Sequence, residues 1–84
     1  MEFIKEENRI YSENENGEVI AEITFPEVEN GVYNINHTFV DESLRGQKIG
    51  QKLLEMVIEE IKNKNGKLEA SCSYAKHYIE KNLK

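Results

Sequence analysis

A change of hydrophobic period near Gly46 constrains the fold of this chain more than any other feature. Before that point apolar residues alternate with polar ones; after it they recur every three or four positions. Val19, Ala21, Ile23 and Phe25 alternate with more polar neighbours, the pattern of a half-buried strand, which Pro26 closes. Tyr33, Ile35, His37 and Phe39 line one face of a following strand, with Val32 and Val40 on the other. Asn16-Gly17 and Asn30-Gly31 accept the positive φ angles that tight reversed turns need, and Glu2 to Glu6 and Arg9 to Glu13 read as weak strands around Glu7-Asn8. The first half is therefore expected to be an antiparallel meander.

Past Gly46, Ile49, Leu53, Met56 or Val57, and Ile61 follow helical steps, and Leu54 and Ile58 widen the stripe. Glu60 and Lys64 form an i,i+4 pair in the favoured direction, and Asn65-Gly66 supplies a left-handed stop. Lys67 to Cys72 is expected to be a short strand, which the helical crossover places parallel to its neighbour. Ser73 is expected to cap a last helix running to about Asn82. The predicted fold class is α+β: a mainly antiparallel meander sheet with one long helix, a parallel fifth strand and a C-terminal helix, in one domain spanning residues 1–84.

Composition narrows the function classes. A single cysteine excludes an internal disulfide framework, and nothing in the pattern calls for a metal. The start, Met1-Glu2-Phe3-Ile4-Lys5-Glu6-Glu7, has no signal-peptide character, and no apolar run approaches the length of a membrane span. A cytoplasmic protein without a membrane partner is expected, so the sequon Asn36-His37-Thr38 carries no weight. The net charge of −5 disfavours nucleic acid as a partner, yet it conceals a split. Residues 1–42 hold eleven acidic and two basic side chains, whereas residues 43–84 hold five acidic and nine basic ones. An anionic ligand against the second half and a cationic one approaching the first would both fit; so would plain solvation of exposed faces.

The segment Leu44-Arg45-Gly46-Gln47-Lys48-Ile49-Gly50 sharpens the first of these readings. A helix N-terminus carries partial positive charge and unpaired N–H groups, and Arg45, Lys48 and Lys52 add charge of the same sign there. Bound anion, and phosphate above all, would relieve this. The spacing is not that of a P-loop or of a dinucleotide fingerprint.

At these residues the chain resembles the GNAT superfamily of acetyl-CoA-dependent N-acetyltransferases, whose coenzyme loop follows [R/Q]-x-x-G-x-[G/A] between the fourth strand and a long helix. Arg45 and Gly50 match its ends, and Lys48 stands at the place of the central glycine. The chain is similar, more narrowly, to the very small YjdJ-like branch, through His37-Thr38-Phe39-Val40 before the loop and Cys72-Ser73-Tyr74 after the fifth strand, over about residues 18–82. The resemblance implies coenzyme A in a wedge where two strands splay. Thr38, Phe39 and Val40 would then bond the pantetheine arm and polarise the acetyl carbonyl, and the amides of Arg45, Gly46, Gln47, Lys48, Ile49 and Gly50 would hold the pyrophosphate. Tyr74, Lys81 and Asn82 are further coenzyme candidates, although packing for Tyr74 and a solvated helix end for the other two are the simpler readings.

Two residues carry chemical expectations. Cys72 lies between a strand and a helix N-terminus, a place that lowers a thiol pKa; it is either a nucleophile that takes the acetyl group or a small buried hydrophobe. His37, on an apolar strand face, is either a structural histidine or a base that takes a proton from the ammonium substrate or the Cys72 thiol. The implied activity is acetyl transfer from acetyl-CoA to a primary amine: a protein lysine, an N-terminus or a polyamine. The alternative is a non-catalytic acyl-CoA-binding or protein-interaction module.

Overall fold

The change of period becomes a sheet-to-helix transition in the computed structural model, which describes residues 2–82 and, of Asn82, the backbone alone. The chain runs β1 (Ile4–Glu6), β2 (Arg9–Glu13), β3 (Val19–Thr24), β4 (Glu27–Glu29), β5 (Val32–Ile35) and β6 (His37–Val40). A 3-10 turn (Glu42–Leu44), α1 (Ile49–Asn63), β7 (Lys67–Ala70) and α2 (Ser73–Asn82) follow. One sheet has the antiparallel order β1-β2-β3-β6; the other has the order β4-β5-β7, in which β5 and β7 are parallel. No helix among the described residues is long and apolar enough to cross a membrane.

The helical stripe forms as the spacing requires. Ile49, Leu53, Leu54, Val57 and Ile61 are buried against Ile10, Ala21, Ile23, Phe25 and Ile35 of the sheets, with Ala75 of α2 closing the core. Each such large side chain, fully buried, stabilises the fold by about 1.5–3 kcal/mol. α1 stops at the expected place. Asn65 takes a φ of +57°, and the N–H groups of Gly66 and Asn65 donate to the carbonyls of Ile61 and Lys62 at 2.9 and 3.0 Å. This is the paired-bond helix stop that a left-handed residue makes possible.

The strand expected around residues 32 to 40 is interrupted at Asn36. β5 belongs to one sheet and β6 to the other, and the break reverses the inward parity. Ile35 is buried, but beyond the break Thr38 and Val40 turn inward while His37 and Phe39 are exposed. The apolar face expected to join Tyr33, Ile35, His37 and Phe39 therefore does not exist as one surface. The short strand β4 was not foreseen, because Pro26 and the Asn30-Gly31 turn mask it. β7 ends at Ala70, before Cys72, because the N–H groups of Ser71 and Cys72 both donate to the Ile35 carbonyl, at 3.1 and 3.2 Å. The Cys72 carbonyl then accepts from Lys76 N–H at 2.9 Å, so Cys72, one residue before the expected Ser73, occupies the N-cap of α2.

Candidate functional site

The break at Asn36 makes the site. β5 and β7 share a ladder up to the Ile35 carbonyl; past it, the chain of β6 pairs with β3 and leaves β7 behind. Asp41 N–H donates to Ile20 O at 2.8 Å, and alternation along an antiparallel ladder then assigns the backbone groups of Phe39 and His37 to β3. The N–H and C=O groups of Thr38 and Val40 point the other way, into the gap. A cleft of about 240 Å³ opens there, lined by Thr38, Val40, Leu44, the loop residues Arg45, Gly46 and Lys48, Ile49 and Gly50 of α1, and Tyr74.

The floor of the cleft is the start of α1. Gly46 and Lys48 both have left-handed backbone, with φ of +86° and +57°. Lys48 is the N-cap, its side chain makes no capping bond, and the first turn contains no acid. The leading N–H groups of the helix have no carbonyl one turn back to accept them, so they face the cleft with Arg45 and Lys48 as donors to an anion. Gly50 is needed for space: a Cβ there would sit 2.8 Å from the Tyr74 Oη. The preceding turn is fixed by Asp41, whose carboxylate accepts from Ser43 N–H at 3.0 Å and from Ser43 Oγ at 2.6 Å. Those bonds hold the Asp41 pKa below the usual carboxylate value.

Cys72 stands where the strands part, partly buried, with its Sγ 3.8 Å from Thr38 Oγ1. Burial pushes its thiol pKa up, but the Ala75 N–H, the Thr38 hydroxyl, the Tyr74 N–H and the Thr38 N–H act against this, and the net direction is down. Tyr74 and Ala75 are the second and third residues of α2, so the sulfur takes the capping position that an Asp or Ser side chain usually fills.

Of the sequence-predicted coenzyme residues, Thr38, Val40, Arg45, Gly46, Lys48, Ile49, Gly50 and Tyr74 line this one cleft. Tyr74 is 48% exposed, with its ring over Gly50 at the wall of the cleft. Phe39 is 39% exposed on the face opposite Thr38 and Val40, and its backbone groups are committed to β3. Gln47 is exposed outside the lining, and Lys81 is exposed near the far end of α2. Asn82's side chain lies outside the described residues. His37 lies on the face opposite Thr38, with Nε2 3.5 Å from the Glu22 carboxylate. Glu22 also pairs with Arg9, which reaches Glu6 at 3.2 Å and stacks on Tyr11. The expected apolar setting of His37 is thus replaced by an exposed ionic one. Leu44 was missed; an apolar residue immediately before a basic loop was the available signal. No cluster of metal-ligating side chains occurs among the described residues.

Comparison with known proteins places this geometry. A family model described as GCN5-related N-acetyl-transferase matches residues 9–84. The solution structure of a GCN5-like protein from Staphylococcus aureus is similar with a TM-score of 0.81 and 44% identity, over 95% of this chain and 78% of that one. A GNAT family acetyltransferase from Elizabethkingia anophelis with acetyl-CoA bound gives 0.66 and 25%, over 89% and 51%. Glucosamine-6-phosphate N-acetyltransferase from Arabidopsis thaliana gives 0.62 and 26%, over 87% and 56%. The chain thus spans about half the length of the last two. No curated protein matches.

Proposed function

The chain belongs to the GCN5-related N-acetyltransferase family, and on that premise we propose that it moves the acetyl group of acetyl-CoA to a primary amine by way of Cys72. The observation that carries this reading is the place of the Cys72 sulfur: before the first turn of α2, where β6 and β7 part, 3.8 Å from Thr38 Oγ1, in surroundings that lower its thiol pKa. The cleft fits the donor substrate. Arg45, Lys48 and the leading amides of α1 face a pyrophosphate, and the inward backbone groups of Thr38 and Val40 face an amide-bearing arm.

In the first step the Cys72 thiolate attacks the thioester carbonyl, an S–C bond forms, and the coenzyme thiolate leaves and takes a proton from water. Thr38 N–H, already directed at this point, stabilises the charge that develops on the carbonyl oxygen. The ammonium acceptor loses one proton to solvent and the neutral amine attacks the acetyl-Cys72 carbonyl; the Cys72 thiolate leaves, held again by Tyr74 and Ala75 N–H, and the nitrogen's second proton passes to solvent as the amide forms. His37 has no hydrogen bond to Cys72 among the described residues and takes no part in these steps. The acceptor is a cationic amine, such as a protein lysine, an N-terminus or a polyamine, drawn by the acidic first half of the chain. Direct attack by the amine on the thioester is the second reading, favoured by the same inward Thr38 and Val40 amides.

Incubation with acetyl-CoA and a panel of these amines tests the proposal. Acetylated amine is expected, with initial rates that fall as salt is added. Coenzyme-dependent stabilisation without any acetylated product would support the non-catalytic acyl-CoA-binding module instead.

A further inference from the structure

The far edge of β7 is open. In the parallel ladder Lys67 N–H donates to Gly31 O at 2.7 Å and Ser71 N–H to Ile35 O at 3.1 Å, so alternation directs Lys67, Glu69 and Ser71 toward β5. The N–H and C=O groups of Leu68 and Ala70 are directed outward, with no further strand beside them among the described residues. A second cleft, of about 250 Å³, opens along this edge on the α1 side, lined by Ile58, Ile61, Lys62, Gly66 and Leu68. An open edge next to apolar surface is a template for another strand.

We propose that this edge pairs with the same edge of a second copy of the chain, antiparallel and about a two-fold axis at Leu68. Two-fold pairing requires that residues with outward backbone groups meet one another, and centres at Leu68 and at Glu69, in the middle of the strand, both satisfy this. Centred on Glu69, the pairing sets Glu69 directly against itself, with like charges at the shorter cross-strand spacing. Centred on Leu68, it joins Leu68 to its own copy through two N–H···O bonds, brings each Ala70 opposite Gly66, and sets Lys67 against Glu69 of the second copy, twice by symmetry. Neither Lys67 nor Glu69 has an ion-pair partner among the described residues of its own chain. The two Leu68 side chains then lie together at the mouths of the two apolar clefts and cover them. Two of the other edges, those of β4 and β6, do not complement themselves. β4 carries Glu27 and Glu29 around an exposed Val28, and the open side of β6 is the acetyl-transfer cleft.

An edge of four residues with one apolar cleft buries less than the roughly 1,600 Å² of a standard stable interface, so the dimer is weak and concentration-dependent. Sedimentation velocity of the full chain over a concentration series at low salt tests it. The wild type is expected to shift from monomer to dimer. Lys67→Glu and Glu69→Lys, each placing like charges opposite one another, are expected to weaken association roughly tenfold, and the double exchange Lys67→Glu/Glu69→Lys to restore it. Amide exchange at Leu68 and Ala70 should slow as the concentration rises. A wild type that stays monomeric to about 1 mM, or a double exchange that associates no better than the single variants, overturns the proposal.

Discussion

Replacing Lys48 separates backbone strain from charge at the start of α1. Lys48 holds a φ of +57° and a ψ of +33° as the N-cap, a conformation that costs an ordinary L-residue about 1–2 kcal/mol. Glycine removes that strain but makes the unfolded chain freer, which returns about 0.4–1 kcal/mol. Loss of a cation from a helix N-terminus adds about 0.3–1 kcal/mol of stability. The net for Lys48→Gly is a gain of about 1 kcal/mol, which for a domain of this size raises the melting temperature by about 4–8 °C. Lys48→Ala keeps the strain and loses only the charge, so its gain is expected to be about 0.3–1 kcal/mol, without the further gain from relieved strain. Thermal unfolding followed by circular dichroism, without ligand, gives both values. The reasoning fails if the glycine variant melts at or below the alanine variant. Affinity for coenzyme A should move the other way in both, falling about two- to five-fold as one cation leaves the pyrophosphate site.

Gly50→Ala should place a methyl group against Tyr74, whose exposed ring must swing into the cleft. Stability measured by denaturant should change by less than about 1 kcal/mol, since alanine is the better helix former, while coenzyme affinity falls. The Cys72 thiol, with its pKa lowered in the fold, should alkylate with a midpoint below the ordinary thiol value of about 9.0. Thr38→Val, which removes the hydroxyl 3.8 Å from Sγ and with it one of the groups that lower the thiol pKa, should raise that midpoint. By linkage the same group adds stability as pH rises from its folded pKa toward the ordinary thiol value and adds none below the folded pKa; Cys72→Ala should flatten that part of a stability profile. Leu53→Ala, at a fully buried site in the middle of α1, should cost about 2–5 kcal/mol in urea unfolding.

The parts of the fold that the sequence displays are those set by period and by special backbone angles. The stripe from Ile49 to Ile61 could only be a helix facing a core, and Asn65-Gly66 could stop it because asparagine tolerates the left-handed region. The parallel placement of β7 follows from a helix-length crossover. What the residues did not display is the break at Asn36. Tyr33 to Phe39 alternate perfectly as one strand, and the reversal of parity comes from two different partner strands, β7 before the break and β3 after it. Alternation alone therefore sets His37 on the wrong face, and the β3 pairing turns the backbone of Phe39 away from the cleft. The capping role of Cys72 was hidden for a different reason. Cysteine is not a usual cap, and Ser73 next to it is. The basic loop was visible through charges of the wrong sign, but the strain at Lys48 became visible only in its φ angle.

The proposed route requires Cys72 to be held as a thiolate that accepts the acetyl group. A rapid-quench single turnover with labelled acetyl-CoA, followed by peptide mapping, measures this most directly. Label is expected on Cys72 before acetylated amine appears, decaying at the rate at which that product forms. Label that passes to the amine without ever residing on Cys72, together with normal turnover in Cys72→Ala, would contradict it.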